Sequence, residues 1–151
     1  MNYGKNLFQQ RDRLGLTNVE MAQLLKISDS LYSRYEKEKQ IIPIKHLNTL
    51  CNYFDCSLDY IFGFTTEKNY KKSKTEINRD LMRNRLKELR IENNLTQKEF
   101  AKELNAAAST ISDYERKANI IATPFLYDIC RKYNFSADYL LGKTNKPKYY
   151  S

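Results

Sequence analysis

The 151-residue chain has no tryptophan, one histidine (His46), three cysteines, three prolines and four glycines. Each scarcity excludes a chemistry. A single imidazole leaves no Ser-His-Asp triad, no Cys-His nucleophile and no histidine-rich metal centre. Cys51, Cys56 and Cys130 are odd in number and form no C-x-x-C pair, so neither a disulfide framework nor a zinc knuckle is expected. No run approaches the roughly 20 apolar residues that span a bilayer. The opening residues Met1 to Asn6 lack the apolar segment of a signal peptide. The chain therefore reads as cytoplasmic, without a membrane partner. At 41% hydrophobic and 29% charged residues, it has the composition of a folding chain rather than a disordered one.

What it has in excess is positive charge and tyrosine. Twenty-six basic residues against 18 acidic ones leave a net charge of +8. That balance favours a polyanionic partner, either nucleic acid or an anionic membrane surface. The 12 tyrosines invite a base-stacking role, yet Tyr35, Tyr60, Tyr114 and Tyr139 read as core by their positions in the motif that the two halves of the chain share.

The chain also repeats itself. Sliding it by about 79 residues superposes Leu7 to Thr65 on Leu86 to Thr144 without a gap, with about 20 identities over about 59 positions. Arg11 falls on Arg90, Leu16-Thr17 on Leu95-Thr96, Ala22 on Ala101, Ser33 on Ser112, and Tyr35-Glu36 on Tyr114-Glu115. Asp59-Tyr60 falls on Asp138-Tyr139, and Gly63 and Gly142 close the copies. Two small domains are expected, at residues 1–65 and 81–144. Residues 66–80 hold one aliphatic and five basic side chains and read as a solvated linker. Fully extended at roughly 3.3 Å per residue, that linker would reach about 50 Å. Residues 145–151 read as a loose basic tail.

Apolar residues recur at three- and four-residue spacing and never alternate for long, so every element is read as helix and the fold class as all-α. Each copy predicts five helices. The first carries Tyr3 and Leu7, or Met82, Leu86 and Leu89, and stops at Gly15 or Asn94. The second opens with a capping box, Thr17 with Glu20 or Thr96 with Glu99, and can staple Leu16 onto Met21 or Leu95 onto Phe100. A two-residue turn leads to a third helix from Ser28 or Ala107, burying Tyr32 and Tyr35 or Ile111 and Tyr114. That pair is a helix-turn-helix. The fourth runs from about Ile44, with Leu47, Leu50, Cys51 and Phe54 on one face. In copy two Thr123 is its expected cap and Pro124 lies in its first turn. A fifth starts at Ser57 or Ser136. Cys51 and Cys130 read as small buried hydrophobes, Cys56 as a free thiol and His46 as exposed and inert.

Both copies resemble the helix-turn-helix domain of the lambda repressor and Cro type, also called the xenobiotic-response-element family. The pattern Leu-Thr-Gln-x-Glu-x-Ala-x-x-Leu stands as Leu95 to Leu104, and Ser-x-Ile-Ser-x-Tyr-Glu as Ser109 to Glu115. Copy one is similar, with Asn18 for the glutamine and Tyr32 for the isoleucine. The closing Ser-Leu-Asp-Tyr-Leu-Leu-Gly appears as Ser57 to Gly63 and Ser136 to Gly142.

The resemblance implies sequence-specific binding of double-stranded DNA, with the third helix in the major groove and the second crossing the phosphate backbone. By position in the motif, Asn18 and Gln97 approach phosphate. Asp29, Ser30, Ser33 and Arg34, and then Ala108, Ser109, Ser112 and Asp113, face base edges. Arg34 could bond guanine twice, and Asp29 could accept from cytosine. Lys37 and Lys39, and Arg116 and Lys117, complete the DNA-binding set. The family also pairs Arg11 with Glu36 and Arg90 with Glu115, as scaffold.

Glycine often follows the Tyr-Glu pair by two residues; here Glu38 and Lys117 stand there, with Lys39 and Ala118 beyond, so the loops after the third helices are expected to differ. The reading is a non-catalytic, cofactor-free and metal-free transcription regulator, repressor-like, with a homodimer left open. The rival reading makes copy two a dimerisation or protein-docking module, on the strength of Ala107, Ala108, Asp113 and Ala118. An enzymatic reading lacks clustered carboxylates with a lysine or histidine.

Overall fold

The structure, a computed structural model, describes residues 1–70, 73–117 and 119–148. Among them all regular structure is helical, and the chain divides into two units, described here as residues 1–70 and 73–148. Unit 1 contains α1 (Tyr3–Arg13), α2 (Asn18–Leu25), α3 (Asp29–Glu36), α4 (Ile44–Tyr53) and α5 (Leu58–Ile61). Unit 2 contains α6 (Arg79–Glu92), α7 (Gln97–Glu103), α8 (Ala108–Lys117), α9 (Thr123–Tyr133) and α10 (Ala137–Leu140). Ala118 and residues 149–151 lie outside the described residues, as do Lys71 and Lys72 of the expected linker.

Local chemistry sets these boundaries. Thr17 Oγ1 accepts from the Glu20 amide while Glu20 Oε1 accepts from the Thr17 amide, and Thr96 with Glu99 repeats the exchange. Ser28, Ser57 and Ser136 cap α3, α5 and α10 by the first half of that exchange, each Oγ accepting from the amide three residues on. Chain reversals use left-handed residues at matching offsets in the two units: Gly15 and Asn94, Lys26 and Asn105, Asp55 and Asn134, Gly63 and Gly142. One expected cap moves. Ala122 holds the extended N-cap conformation, so Thr123 is the buried first residue of α9 and Pro124 follows within the first turn.

α1 and α2 both pack on α3, as α6 and α7 do on α8. In unit 1 the core is built from Tyr3, Leu7, Met21, Ala22, Tyr32, Tyr35, Leu47, Leu50, Cys51, Leu58 and Ile61. Met82, Leu86, Phe100, Ala101, Ile111, Leu126, Ile129, Cys130 and Leu140 play that part in unit 2. Cys56 is a free thiol, and it is buried. Tyr60, Tyr114 and Tyr139 are half-buried rather than core. Gly4 lets the start of α1 cross the end of α3: a Cβ there would lie 2.1 Å from the Glu36 carbonyl oxygen.

The segments read as linker and tail are tied to the units where they are described. The Ser57 amide donates to the Lys68 carbonyl at 2.7 Å, and the Tyr70 hydroxyl to buried Asp59 at 2.7 Å. The Ser136 amide donates likewise to Pro147 at 2.9 Å. Ahead of α6, the Lys74 amide donates to Lys143 at 2.8 Å and the Asn78 amide to Leu141 at 2.9 Å. A reach of about 50 Å required residues 66–80 to extend freely. These hydrogen bonds hold both ends of that segment instead.

His46 is half-buried, not exposed. Its Nδ1 lies 3.3 Å from the Tyr35 hydroxyl, and the two rings are 5.9 Å apart between centroids. Phe125 fills the equivalent place in unit 2, 5.1 Å from the Tyr114 ring. Burial, helped by the charge of Lys45, holds the imidazole below the ordinary histidine range. The unfolded chain therefore takes up a proton more readily than the folded one. The stability this site confers is present above the ordinary value of about 6.5 and is lost as pH falls through the depressed folded value. His46→Phe, followed by urea unfolding at pH 7 and pH 5, is expected to lessen the acid loss of unit 1 stability. An undiminished loss in the variant contradicts this.

Candidate nucleic-acid interface

One arginine organises each unit. Arg11 Nε and Nη2 donate to the two carboxylate oxygens of Glu36 at 3.0 and 2.8 Å, and Nη1 donates to the Leu16 carbonyl at 2.9 Å. Arg90 repeats this on Glu115 at 2.7 and 3.0 Å and on Leu95 at 2.8 Å. The planar fork thus binds the first helix to the end of the third and to the residue that precedes the second-helix cap. The Arg11 and Glu36 side chains are 15% and 10% exposed, and Arg90 and Glu115 12% and 5%. The hydrogen bonds to Glu36 raise the Arg11 pKa further, against the opposing effect of burial.

With its inner side fixed, α3 turns the opposite side outward. Asp29, Ser30, Arg34, Lys37 and Lys39 are exposed, and Ser33 is half-buried. Arg34 has no ion-pair partner among the described residues. Beside it, Ser33 and Lys37 line a cleft of about 350 Å³ together with Lys5, Phe8 and Asn18. Asn18 Oδ1 is buried there without a hydrogen-bond partner. Gln97, one methylene longer, brings its Nε2 to 3.4 Å from Glu115 Oε1.

α8 has the same frame and a different surface. Ala108 and Ser109 are exposed, and Ser112 and Asp113 half-buried. Asp113 Oδ1 accepts from Arg116 at 3.2 Å and pairs with Lys117 Nζ at 3.4 Å. The helices also end differently. α3 stops at Glu36 and Glu38 takes a φ of 54°, whereas α8 continues through Lys117.

Four exposed or cleft-lining side chains lie outside the residues the sequence singles out: Lys5 and Phe8 of α1, and Lys98 and Lys102 of α7. The cleft shows the first two. The lysines carried a legible signal, since residues 1–65 hold 8 basic and 7 acidic groups, and residues 81–144 hold 11 and 8.

Comparison with known proteins agrees with this geometry. Residues 7–61 match a family model described as "Helix-turn-helix", and residues 84–146 one described as "Helix-turn-helix domain". Both halves of the chain belong to the helix-turn-helix family of the lambda repressor and Cro type. The chain is 44% identical over 64 residues to the HTH-type transcriptional regulator ImmR of Bacillus subtilis, covering 42% of this chain and 50% of that one. It is 35% identical over 69 residues to the uncharacterized HTH-type transcriptional regulator YobD of the same organism, covering 46% and 62%. The chain thus spans about half the length of the curated relatives it matches. No solved structure matches it significantly. A reading of copy two as a mere docking module is not favoured by these matches. No described helix is long and apolar enough to cross a membrane.

Because each fork is largely buried, removing one partner strands a charge. Glu115→Ala is expected to destabilise unit 2 by about 3 to 5 kcal/mol, with Glu36→Ala acting similarly on unit 1. Thermal melts of the two variants check this. An unchanged melt would make the pair a surface ornament.

Proposed function

We propose that the chain is a sequence-specific transcriptional regulator of the repressor type, acting in the cytoplasm without catalysis, metal or cofactor. Each unit, near residues 1–65 and 81–144, docks on duplex DNA with its third helix in the major groove. Asn18 and Gln97 approach the phosphates at the start of the second helices. Asp29, Ser30, Ser33 and Arg34 face base edges in one unit, and Ala108, Ser109, Ser112 and Asp113 in the other. Lys37, Lys39, Arg116 and Lys117 supply charge toward the backbone.

The observation that carries this reading is the outward face of α3. The arginine fork holds the helix from behind, and in front Arg34 and Lys37 stand outside any ion pair among the described residues. A solvated surface arginine needs no such frame. Two unlike units in one chain do what identical subunits do in a dimer, so the operator is expected to be asymmetric rather than a perfect palindrome. A homodimer adds further half-sites.

Fluorescence anisotropy of the full chain with labelled duplex, from about 50 to 200 mM salt, tests the proposal. Binding is expected at low salt, with log affinity falling linearly against log salt by about 0.9 for each phosphate neutralised. Failure to bind any duplex at the lowest salt would contradict it.

A further inference from the structure

The two reading helices share a backbone geometry and differ in what they offer. On α3, Arg34 is exposed and free of ion pairs among the described residues. Its planar fork matches the O6 and N7 acceptors of guanine. At the equivalent place on α8 stands Asp113, already engaged by Arg116 and Lys117 at 3.2 and 3.4 Å. A carboxylate only accepts, so it cannot make the contacts to guanine O6 and N7 that Arg34 can, and Ala108, Ser109 and Ser112 beside it are too short for bidentate contacts.

The second helices show the reverse. α7 carries Lys98 and Lys102, both exposed and outside any ion pair among the described residues. The acids on the same helix face other groups, Glu99 the Thr96 cap and Glu103 the Tyr133 hydroxyl. The matching positions of α2 hold Val19 and Gln23, both exposed and uncharged. Lysine is a compact charge that suits phosphate without distinguishing bases.

Resting on the DNA-binding reading above, we infer that the units divide the work: unit 1 reads sequence through Arg34, and unit 2 is a sequence-tolerant anchor that grips the phosphate backbone through Lys98 and Lys102. The bound site then has one half rich in base preference, with a guanine opposite Arg34, and one half nearly free of it.

The test uses the full chain and duplexes selected from a random DNA library. Base preference is expected in one half-site alone. Arg34→Ala is expected to weaken binding to the selected duplex roughly ten- to a hundredfold while leaving an unrelated duplex within about twofold. The double variant Lys98→Ala, Lys102→Ala is expected to weaken both duplexes by one common factor and to lower the salt slope by about 2. All three side chains are exposed, so wild-type melts should accompany these effects. Two half-sites of equal base preference, or a lysine variant that alters preference rather than overall affinity, would overturn the division while leaving DNA binding intact. Absence of binding to every duplex would remove both.

Discussion

The guanidinium of Arg11, and of Arg90 in the other unit, is the constraint on which each unit turns. It satisfies a glutamate at the end of the third helix and a carbonyl just ahead of the second. The second and third helices also pack on each other across their tight turn. A charge-assisted fork that spans both makes their angle a property of the fold rather than of the turn. It also makes the pair costly to break, because the burial that sharpens the interaction leaves nothing to solvate a stranded charge. The outward side of the third helix stays free because all the holding is done from behind.

Around that shared frame the two copies have diverged at the surface. Four left-handed turn positions coincide, as do the threonine caps Thr17 and Thr96, the serine caps Ser57 and Ser136, and the buried Cys51 and Cys130. The outward differences are Arg34 against Asp113, Val19 against Lys98, and Tyr53, half exposed, against Lys132. One inner substitution, Tyr3 against Met82, is offset. Tyr3 receives the Ile42 amide in unit 1, while in unit 2 Tyr114 receives the Ala122 amide from the matching stretch before the fourth helix. A duplicated scaffold with unlike surfaces presents two chemistries on one chain.

Much of this was legible in the residues. The capping boxes, the left-handed stops and the helix faces each rest on side-chain types at short spacing, and short spacing is what a sequence displays directly. The family pattern then supplied the Arg-Glu partners, 25 residues apart along the chain. Other features carry no such signature. The hydrogen bonds that tie Lys68 and Pro147 back to Ser57 and Ser136 run between backbone groups, and any residue can make them. Tyr70 sits among lysines and looked solvated, yet its hydroxyl reaches a buried carboxylate. Thr123 before a proline has the look of a cap, but Ala122 holds the extended backbone and the threonine is inside. Nothing in the sequence around His46 marks its partner, because Tyr35 lies on another helix.

The central claim is that the outer side of the third helices meets DNA while the fork keeps their inner side in place. Residue-resolved NMR of the full chain, titrated with a selected duplex, addresses it most directly. The account predicts amide shifts concentrated on Asp29 to Lys37 and Ala108 to Lys117 and at the starts of α2 and α7, with the resonances of Arg11 and Arg90 still paired. Shifts gathered on α4 and α9 with the third helices silent would contradict it.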